Sequence, residues 1–178
     1  MKIHLLELVE TLSSLKHTDK KILSELKEFI STNTFYTKKE SPEVHVCMFF
    51  MPIVQSQRLV YVGHHIKADD WIPPGGHLEP EETAMDTIKR EMLEELGYGI
   101  TNEKIELFDV ARKDIDNPKI VCKRHYDFVY LVYLEQPYDF VFDKGEFHDA
   151  KWVSFETAAS MVKTPAFKSM MKYLRDLK

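Results

Sequence analysis

Apolar residues recur at helical spacing twice within the first 32 positions, after which the pattern becomes that of strands. Leu5, Leu8, Val9 and Leu12 share one face of a first short helix. Ile22, Leu23, Leu26, Phe29 and Ile30 share one face of a second, which follows the cap candidates Thr18 and Asp19. The two predict an N-terminal helical hairpin. An apolar stripe ordinarily faces a core, so the hairpin is expected to pack on its own domain, with a homodimer contact as the other use of such a face. Residues 32–42 read as a polar connector, and from Val44 onward β-branched and aromatic residues take over. Strands are predicted at about Val44–Met51, Arg58–Gly63, Ile105–Ala111, Ile120–Leu134 and Ala150–Val153, with late helices over Phe155–Val162 and Ala166–Leu177. Strands with few interspersed helices predict an α+β fold, a mixed sheet with helices on its faces.

One further helix, predicted over Thr83–Leu96, carries an unusual polar edge. With Ala84 at zero and 100° per residue, Ala84, Met85, Ile88, Met92 and Leu96 span roughly 0° to 120°, while Leu93 falls at about 180°. On the same wheel Glu95, Glu91 and Glu94 lie at roughly 20°, 340° and 280°, so they border the apolar stripe instead of opposing it. Like charges at neighbouring helical positions destabilise a helix, and here they follow a turn containing Pro73, Pro74, Gly75 and Gly76. The concentration asks for a compensating cation. Clustered carboxylates suit hard divalent ions, above all Mg²⁺, which uses a few carboxylates and leaves positions for water and phosphate oxygens. The ordinary alternative is a solvated, Glu-rich surface helix.

The intervals between these residues are more specific than their charge. The segment Gly76–Tyr98, GHLEPEETAMDTIKREMLEELGY, sets Gly76, Glu82, Arg90, Glu91, Glu94, Glu95 and Gly97 at the spacing of the Nudix box and so resembles the Nudix hydrolases. Its one departure is Tyr98, where the family usually has an aliphatic residue, and this bears on packing. The resemblance implies a Nudix-type α/β/α sandwich over residues 43–178, preceded by a helical extension and connector over 1–42. It also implies a divalent-metal-dependent pyrophosphohydrolase. Such an enzyme cleaves a nucleoside diphosphate linked to another moiety by attack of water on phosphorus, with Mg²⁺ as cofactor and Mn²⁺ as a substitute. A nucleotide-sensing module of the same fold, without turnover, is the alternative; the complete set Arg90, Glu91, Glu94 and Glu95 favours catalysis.

Carried over by that resemblance, Glu91, Glu94 and Glu95 are metal ligands, one of which can instead act as the water-activating base. Gly76 would offer its carbonyl to the ion. Arg90 would orient a carboxylate through paired hydrogen bonds, and Glu82 would support the loop or an additional ion. Glu146 lies on a predicted loop before a strand, where some family members supply a further ligand or a general base; His148 and Asp149 are lesser candidates.

The substrate side is less legible. In HYDFVYLVYL, alternation puts His125, Asp127, Val129 and Leu131 on one face. The aromatic residues of that strand read as core. His125 and Asp127 are unusual in an apolar strand and are expected to contact substrate or to pair with each other or with backbone groups. Arg112, Lys113, Lys123 and Arg124 would bring positive charge to phosphate if neighbouring strands converge. Trp71, just before the Pro-Pro-Gly-Gly turn, would cover a base or, its more ordinary use, pack on the turn. His45 reads as an ordinary strand histidine.

Composition narrows the partners. At 178 residues one compact domain is the default, and a net charge of −5, from 24 basic and 29 acidic residues, gives no general drive toward nucleic acid or an anionic membrane. The expected partner is a small-molecule nucleotide derivative. Cys47 and Cys122 are too few for a disulfide framework and are not spaced as a zinc motif, so both read as reduced, buried thiols. The longest apolar run, Val46 to Val54, is broken by Pro52 and is far short of a membrane span; the N-terminal MKIHLLELVETL, broken by Glu7 and Glu10, does not read as a signal peptide. A cytoplasmic location is the resulting default. The upstream motif of coenzyme A pyrophosphatases, the SQPWPFPxS-like motif of NADH pyrophosphatases and the downstream proline of many ADP-ribose pyrophosphatases are not found. A nucleoside triphosphate, a nucleotide sugar, a dinucleoside polyphosphate and capped RNA stay open.

Overall fold

The computed structural model describes residues 1–177. Its elements in chain order are α1 (Lys2–Ser13), α2 (Lys20–Thr32), β1 (Val44–Val54), β2 (Leu59–His65), β3 (Asp70–Ile72), β4 (Gly75–His77), α3 (Ala84–Leu96), β5 (Lys104–Asp114), β6 (Arg124–Tyr133), β7 (Phe147–Ser154), α4 (Phe155–Met161) and α5 (Pro165–Asp176). The strands form one sheet in the order β3-β2-β1-β6-β5, with β4 paired to β1 and β7 paired to β2. This is the mixed α+β architecture that the pattern predicts. Among the described residues, no helix is long and apolar enough to cross a membrane.

The structure differs from the sequence pattern where elements are short or interrupted. β3 and β4 have three residues each, too few to show a period. β1 continues through Pro52 to Val54 because it changes partner there: the Phe50 N–H bonds the Pro74 carbonyl at 2.9 Å, while Ile53 already pairs with Val60 of β2. A residue without a donor fits at that changeover. β6 begins at Arg124 instead of Ile120, since Asn117 draws the preceding residues into a turn by accepting the Lys119 N–H on its side chain and the Ile120 N–H on its carbonyl.

The chain divides into two compact units. One comprises Met1–Phe49, Gly76–Ile88 and Leu107–Val129; the other comprises Phe50–Gly75, Lys89–Glu106 and the chain from Tyr130 onward. The boundary falls inside β1, α3, β5 and β6, so each of these elements contributes residues to both units.

In the first unit α1 and α2 form the hairpin. Asp19 caps α2 by accepting the Lys21 and Ile22 N–H groups, and Lys2 Nζ ties the start of α1 to the Ser31 carbonyl at 2.6 Å. Leu5, Val9, Leu12, Leu23, Leu26 and Ile30 are buried. The hairpin packs on its own unit, as its stripes predict: Phe29 stacks on Tyr126 with centroids 5.5 Å apart, and His17 Nε2 meets the Phe108 carbonyl at 2.8 Å.

In the second unit β2 is the central strand, antiparallel to β7 from Leu59↔Ser154 to His65↔Phe147 and to β3 over Gly63↔Ile72 to His65↔Asp70. An aromatic cluster of Tyr61, Tyr98, Tyr138, Phe140 and Trp152 packs in the same unit. Buried Asp70, at the start of β3, fixes the entry to α5. Its carboxylate accepts the Lys163 and Thr164 N–H groups, the Thr164 hydroxyl and the Trp71 N–H, at 2.7 to 3.2 Å. Burial raises the proton affinity of Asp70, but these hydrogen bonds outweigh it and hold its pKa below the usual value.

A depressed pKa means that the stabilisation is present at neutral pH and is lost as pH falls through the folded-state value. Asp70→Asn is therefore expected to cost about 1–3 kcal/mol at pH 7. This would lower the melting temperature by at least about 2 °C, with the difference from the parent narrowing as pH falls below the ordinary carboxylate range. Coincident thermal melts at pH 7 would contradict the assignment.

Candidate active site

The helix with the acidic edge is fixed at both ends. Thr83 and Asp86 cap its start reciprocally: the Asp86 carboxylate accepts the Thr83 N–H at 2.9 Å, and the Thr83 hydroxyl accepts the Asp86 N–H at 3.2 Å. Glu82 accepts the Thr87 hydroxyl at 2.8 Å and the Glu79 N–H at 3.2 Å, which holds the loop leading into the helix. At the far end Gly97 has φ 62°, and the Gly97 N–H reaches the Leu93 carbonyl while the Tyr98 N–H reaches that of Met92. This left-handed stop suits a residue without Cβ. Tyr98 itself packs edge-on against Tyr138 and Phe140, and its hydroxyl donates to Glu103.

Between these stops the helix buries the face that the wheel picks out. Ala84, Ile88, Met92 and Leu96 are inside, whereas Leu93 is 58% exposed. Glu91 and Glu95 are only 9% and 6% exposed, and Glu94 lies in solvent. Two of the three carboxylates therefore sit at the edge of the core.

Two groups compensate them in part. Arg90 Nη1 donates to Glu91 Oε1 at 2.7 Å and to Glu94 Oε2 at 3.2 Å, and the Gly75 N–H donates to Glu95 Oε2 at 2.8 Å. Gly75 has φ 145°, a conformation that glycine adopts without strain. Compensation is incomplete at Glu95, whose pKa is pushed up to about 8 by burial first and then by the charges of Glu91, Glu146 and Asp143, with the Gly75 N–H opposing.

Glu146, immediately before β7, thus belongs to the field that acts on Glu95. Its carboxylate lies 3.0 Å from Lys67 Nζ and 3.5 Å from His65 Nε2. Burial lowers the pKa of His65, and Glu146 partly offsets this. Asp143 is a contributor that the sequence pattern does not single out. Its N–H bonds the Glu95 carbonyl at 2.8 Å, and its carboxylate accepts the Gly145 N–H at 2.7 Å. A short acidic turn, DKGE, carries no signal of its own; only the chain path brings it to the end of the helix. The resulting donor set is made of oxygens under mutual repulsion, which is the chemistry that a hard divalent cation fits.

The remaining candidates have contacts of their own. Trp71 stacks on His64 at 5.3 Å and carries Lys151 Nζ over its ring at 4.3 Å; His148 also neighbours His64, and Asp149 pairs with Lys151 at 2.9 Å. Gly76, Arg112, Lys113, Lys123, Arg124, His125 and Asp127 belong to the first unit, and Arg90, Glu91, Glu94, Glu95 and Glu146 to the second. Arg112 binds Glu25 at 2.5 Å and Asp114 at 3.0 Å, Arg124 binds Asp114 at 2.5 Å, and Lys123 Nζ donates to the carbonyls of Asn117 and Ile120. His125 and Asp127 pair with each other through Nδ1 and Oδ1.

The NUDIX domain family model matches residues 44–177. No curated protein sequence matches the chain. Among solved structures, the E. coli dihydroneopterin triphosphate pyrophosphohydrolase is similar with a TM-score of 0.64 at 18% identity, covering 79% of this chain and 97% of its own. The MutT protein from Bacillus halodurans is similar with a TM-score of 0.59 at 18% identity, covering 74% and 82%. A C. elegans Ap4A hydrolase is similar with a TM-score of 0.54 at 17% identity, covering 73% and 94%. At these identities the likeness is one of fold.

The raised pKa of Glu95 has a measurable consequence in chelator-treated protein. A folded-state value of about 8 against an ordinary 4.5 means that stability is fully present below about pH 4.5 and declines as pH rises toward 8. The decline is at most about 5 kcal/mol. Glu95→Gln is expected to flatten it, as read by denaturant unfolding across that range. An equal slope in parent and variant would assign the effect to another group.

Proposed function

The chain belongs to the NUDIX domain family, hydrolases of phosphoanhydride bonds, and on that premise we propose that it is a Mg²⁺-dependent pyrophosphohydrolase acting on a nucleoside diphosphate linked to another moiety. Residues 43–178 form the hydrolytic domain in this reading, and 1–42 a helical extension. The observation that carries the reading is the buried pair Glu91 and Glu95, tethered by Arg90 and the Gly75 N–H, with the pKa of Glu95 pushed up to about 8 by burial and by the carboxylates around it.

Each residue has a role in that chemistry. Arg90 keeps Glu91 and Glu94 in a fixed orientation, because one guanidinium nitrogen bonds both carboxylates. The Gly75 N–H engages Oε2 of Glu95, which fixes the carboxylate and leaves Oε1 to serve as a ligand. Glu146, steadied by Lys67 and His65, adds a further carboxylate as ligand or base. Glu91, Glu94 and Glu95 would hold a Mg²⁺ ion, which would supply charge neutralisation for the pyrophosphate and a lowered pKa for water. A carboxylate takes the proton of the attacking water, whose oxygen bonds phosphorus. The phosphoanhydride bond then breaks with its electron pair on the leaving phosphate, giving a nucleoside monophosphate and a second phosphorylated product. If the substrate is a triphosphate, the second product is pyrophosphate.

The test is detection of phosphorylated products from a panel comprising nucleoside triphosphates, nucleotide sugars, dinucleoside polyphosphates and capped RNA, with and without Mg²⁺. Turnover of at least one compound that requires the cation is expected. Binding of several with hydrolysis of none would establish the nucleotide-sensing alternative. Glu95→Gln keeps the size of the side chain and is expected to cut kcat by about 10²–10⁴-fold. Near-parental turnover at limiting Mg²⁺ would remove Glu95 from the site.

A further inference from the structure

A second group of metal-ligating side chains lies within the first unit, and its chemistry is unlike that of the acidic helix. His45 and Cys47 are two residues apart on β1, His125 and Asp127 two apart on β6, and His77 ends β4. Residues two apart on a strand share a face, and β1 neighbours both β4 and β6 in the sheet. The groups converge. One ligand atom each of His45, Cys47 and His77 lie within 4.8 Å of one another, and the same holds for Cys47, His125 and Asp127. Cys47 is common to both sets.

Much of this group is withdrawn from water. His45 is 0%, Cys47 3% and Asp127 2% exposed, in a strand environment that is otherwise apolar. The rings are also oriented. His45 Nδ1 faces the Ser41 carbonyl at 3.2 Å, His125 Nδ1 faces the Asp127 carboxylate, and the His45 ring lies 5.0 Å from that of His77 and 6.0 Å from that of His125. Carbonyl and carboxylate partners on one ring nitrogen are the usual outer supports of a metal-bound histidine, since they set its tautomer and direction.

We propose that this cluster is a binding site for a divalent transition metal of the zinc class, with the Cys47 thiolate, His45 and His77 as ligands and the His125–Asp127 pair supplying a fourth donor against the same sulfur. Thiolate and imidazole select such ions over Mg²⁺, which prefers oxygen, so the two sites differ by ligand softness. Bonds of about 2.0–2.3 Å in tetrahedral geometry put ligand atoms about 3.3–3.8 Å apart. Within each set of three the side chains therefore need to close by at most about 1.5 Å. Cys122 lies at the margin, with its sulfur 3.8 Å from His45 Nε2, and serves as the control. The inference does not depend on the phosphohydrolase reading.

The experiment is a Co²⁺ titration of the chelator-treated full chain in excess Mg²⁺, which keeps the carboxylates occupied. One equivalent of Co²⁺ is expected to bind with a thiolate-to-cobalt charge-transfer band in the near ultraviolet, and Zn²⁺ is expected to displace it. Cys47→Ser should abolish the band, while Cys122→Ser and Glu95→Gln should keep it. If Cys47→Ser does not fold, His77→Ala decides: an affinity loss of at least about tenfold supports the site, and unchanged affinity overturns it. No thiolate band in the parent, or a band that survives Cys47→Ser and disappears in Cys122→Ser, also overturns it.

Discussion

Carboxylates forced together at the edge of a hydrophobic core are the constraint around which the second unit is arranged. A helix can carry Glu91, Glu94 and Glu95 on one side only by tolerating their repulsion, and here two of them are also withdrawn from water. The local answer is one guanidinium nitrogen shared by two carboxylates and one peptide N–H given to the third. At Glu95 burial and the neighbouring carboxylates outweigh that help, and its pKa is pushed up to about 8. A raised pKa at Glu95 means that this carboxyl holds its proton to higher pH, and any cation bound there would compete with that proton for the same oxygens. The fixed ends of the helix, at Thr83 and Gly97, matter because slippage by one residue would turn the acids about 100° away from their partners.

Much of this was legible in the chain. The wheel separated Leu93, which is exposed, from Met92 and Leu96, which are buried, and placed Glu91 and Glu95 nearer the core than Glu94. Helical and strand periods gave all five helices and the longer strands, because those elements extend over enough residues to show a repeat. What escaped was tertiary. Asp143 and His65 join the acidic region through chain paths that no spacing encodes. The Cys47 cluster was equally invisible, since a zinc motif is read from ligands close in sequence, whereas these come from three strands spanning residues 45 to 127.

The basic residues near the start of β6 teach a different lesson. Arg112, Lys123 and Arg124 suggested a phosphate-facing patch, yet each has partners close at hand: Glu25 and Asp114 for Arg112, Asp114 for Arg124, and loop carbonyls for Lys123. Sequence lists charges without their neighbours. The His125–Asp127 pair, by contrast, takes one of the arrangements expected of two polar residues in an apolar strand, by bonding to each other.

The ion pair between Arg112 and Glu25 has a consequence for how the N-terminal helices are regarded. The family match begins at residue 44, which invites treating everything before it as a detachable leader. Trimming the chain there would take Glu25 from Arg112, lift the Phe29 ring off Tyr126 and uncover the Phe108 carbonyl that His17 meets. Losing the hairpin would thus uncover the Tyr126 ring and the Phe108 carbonyl.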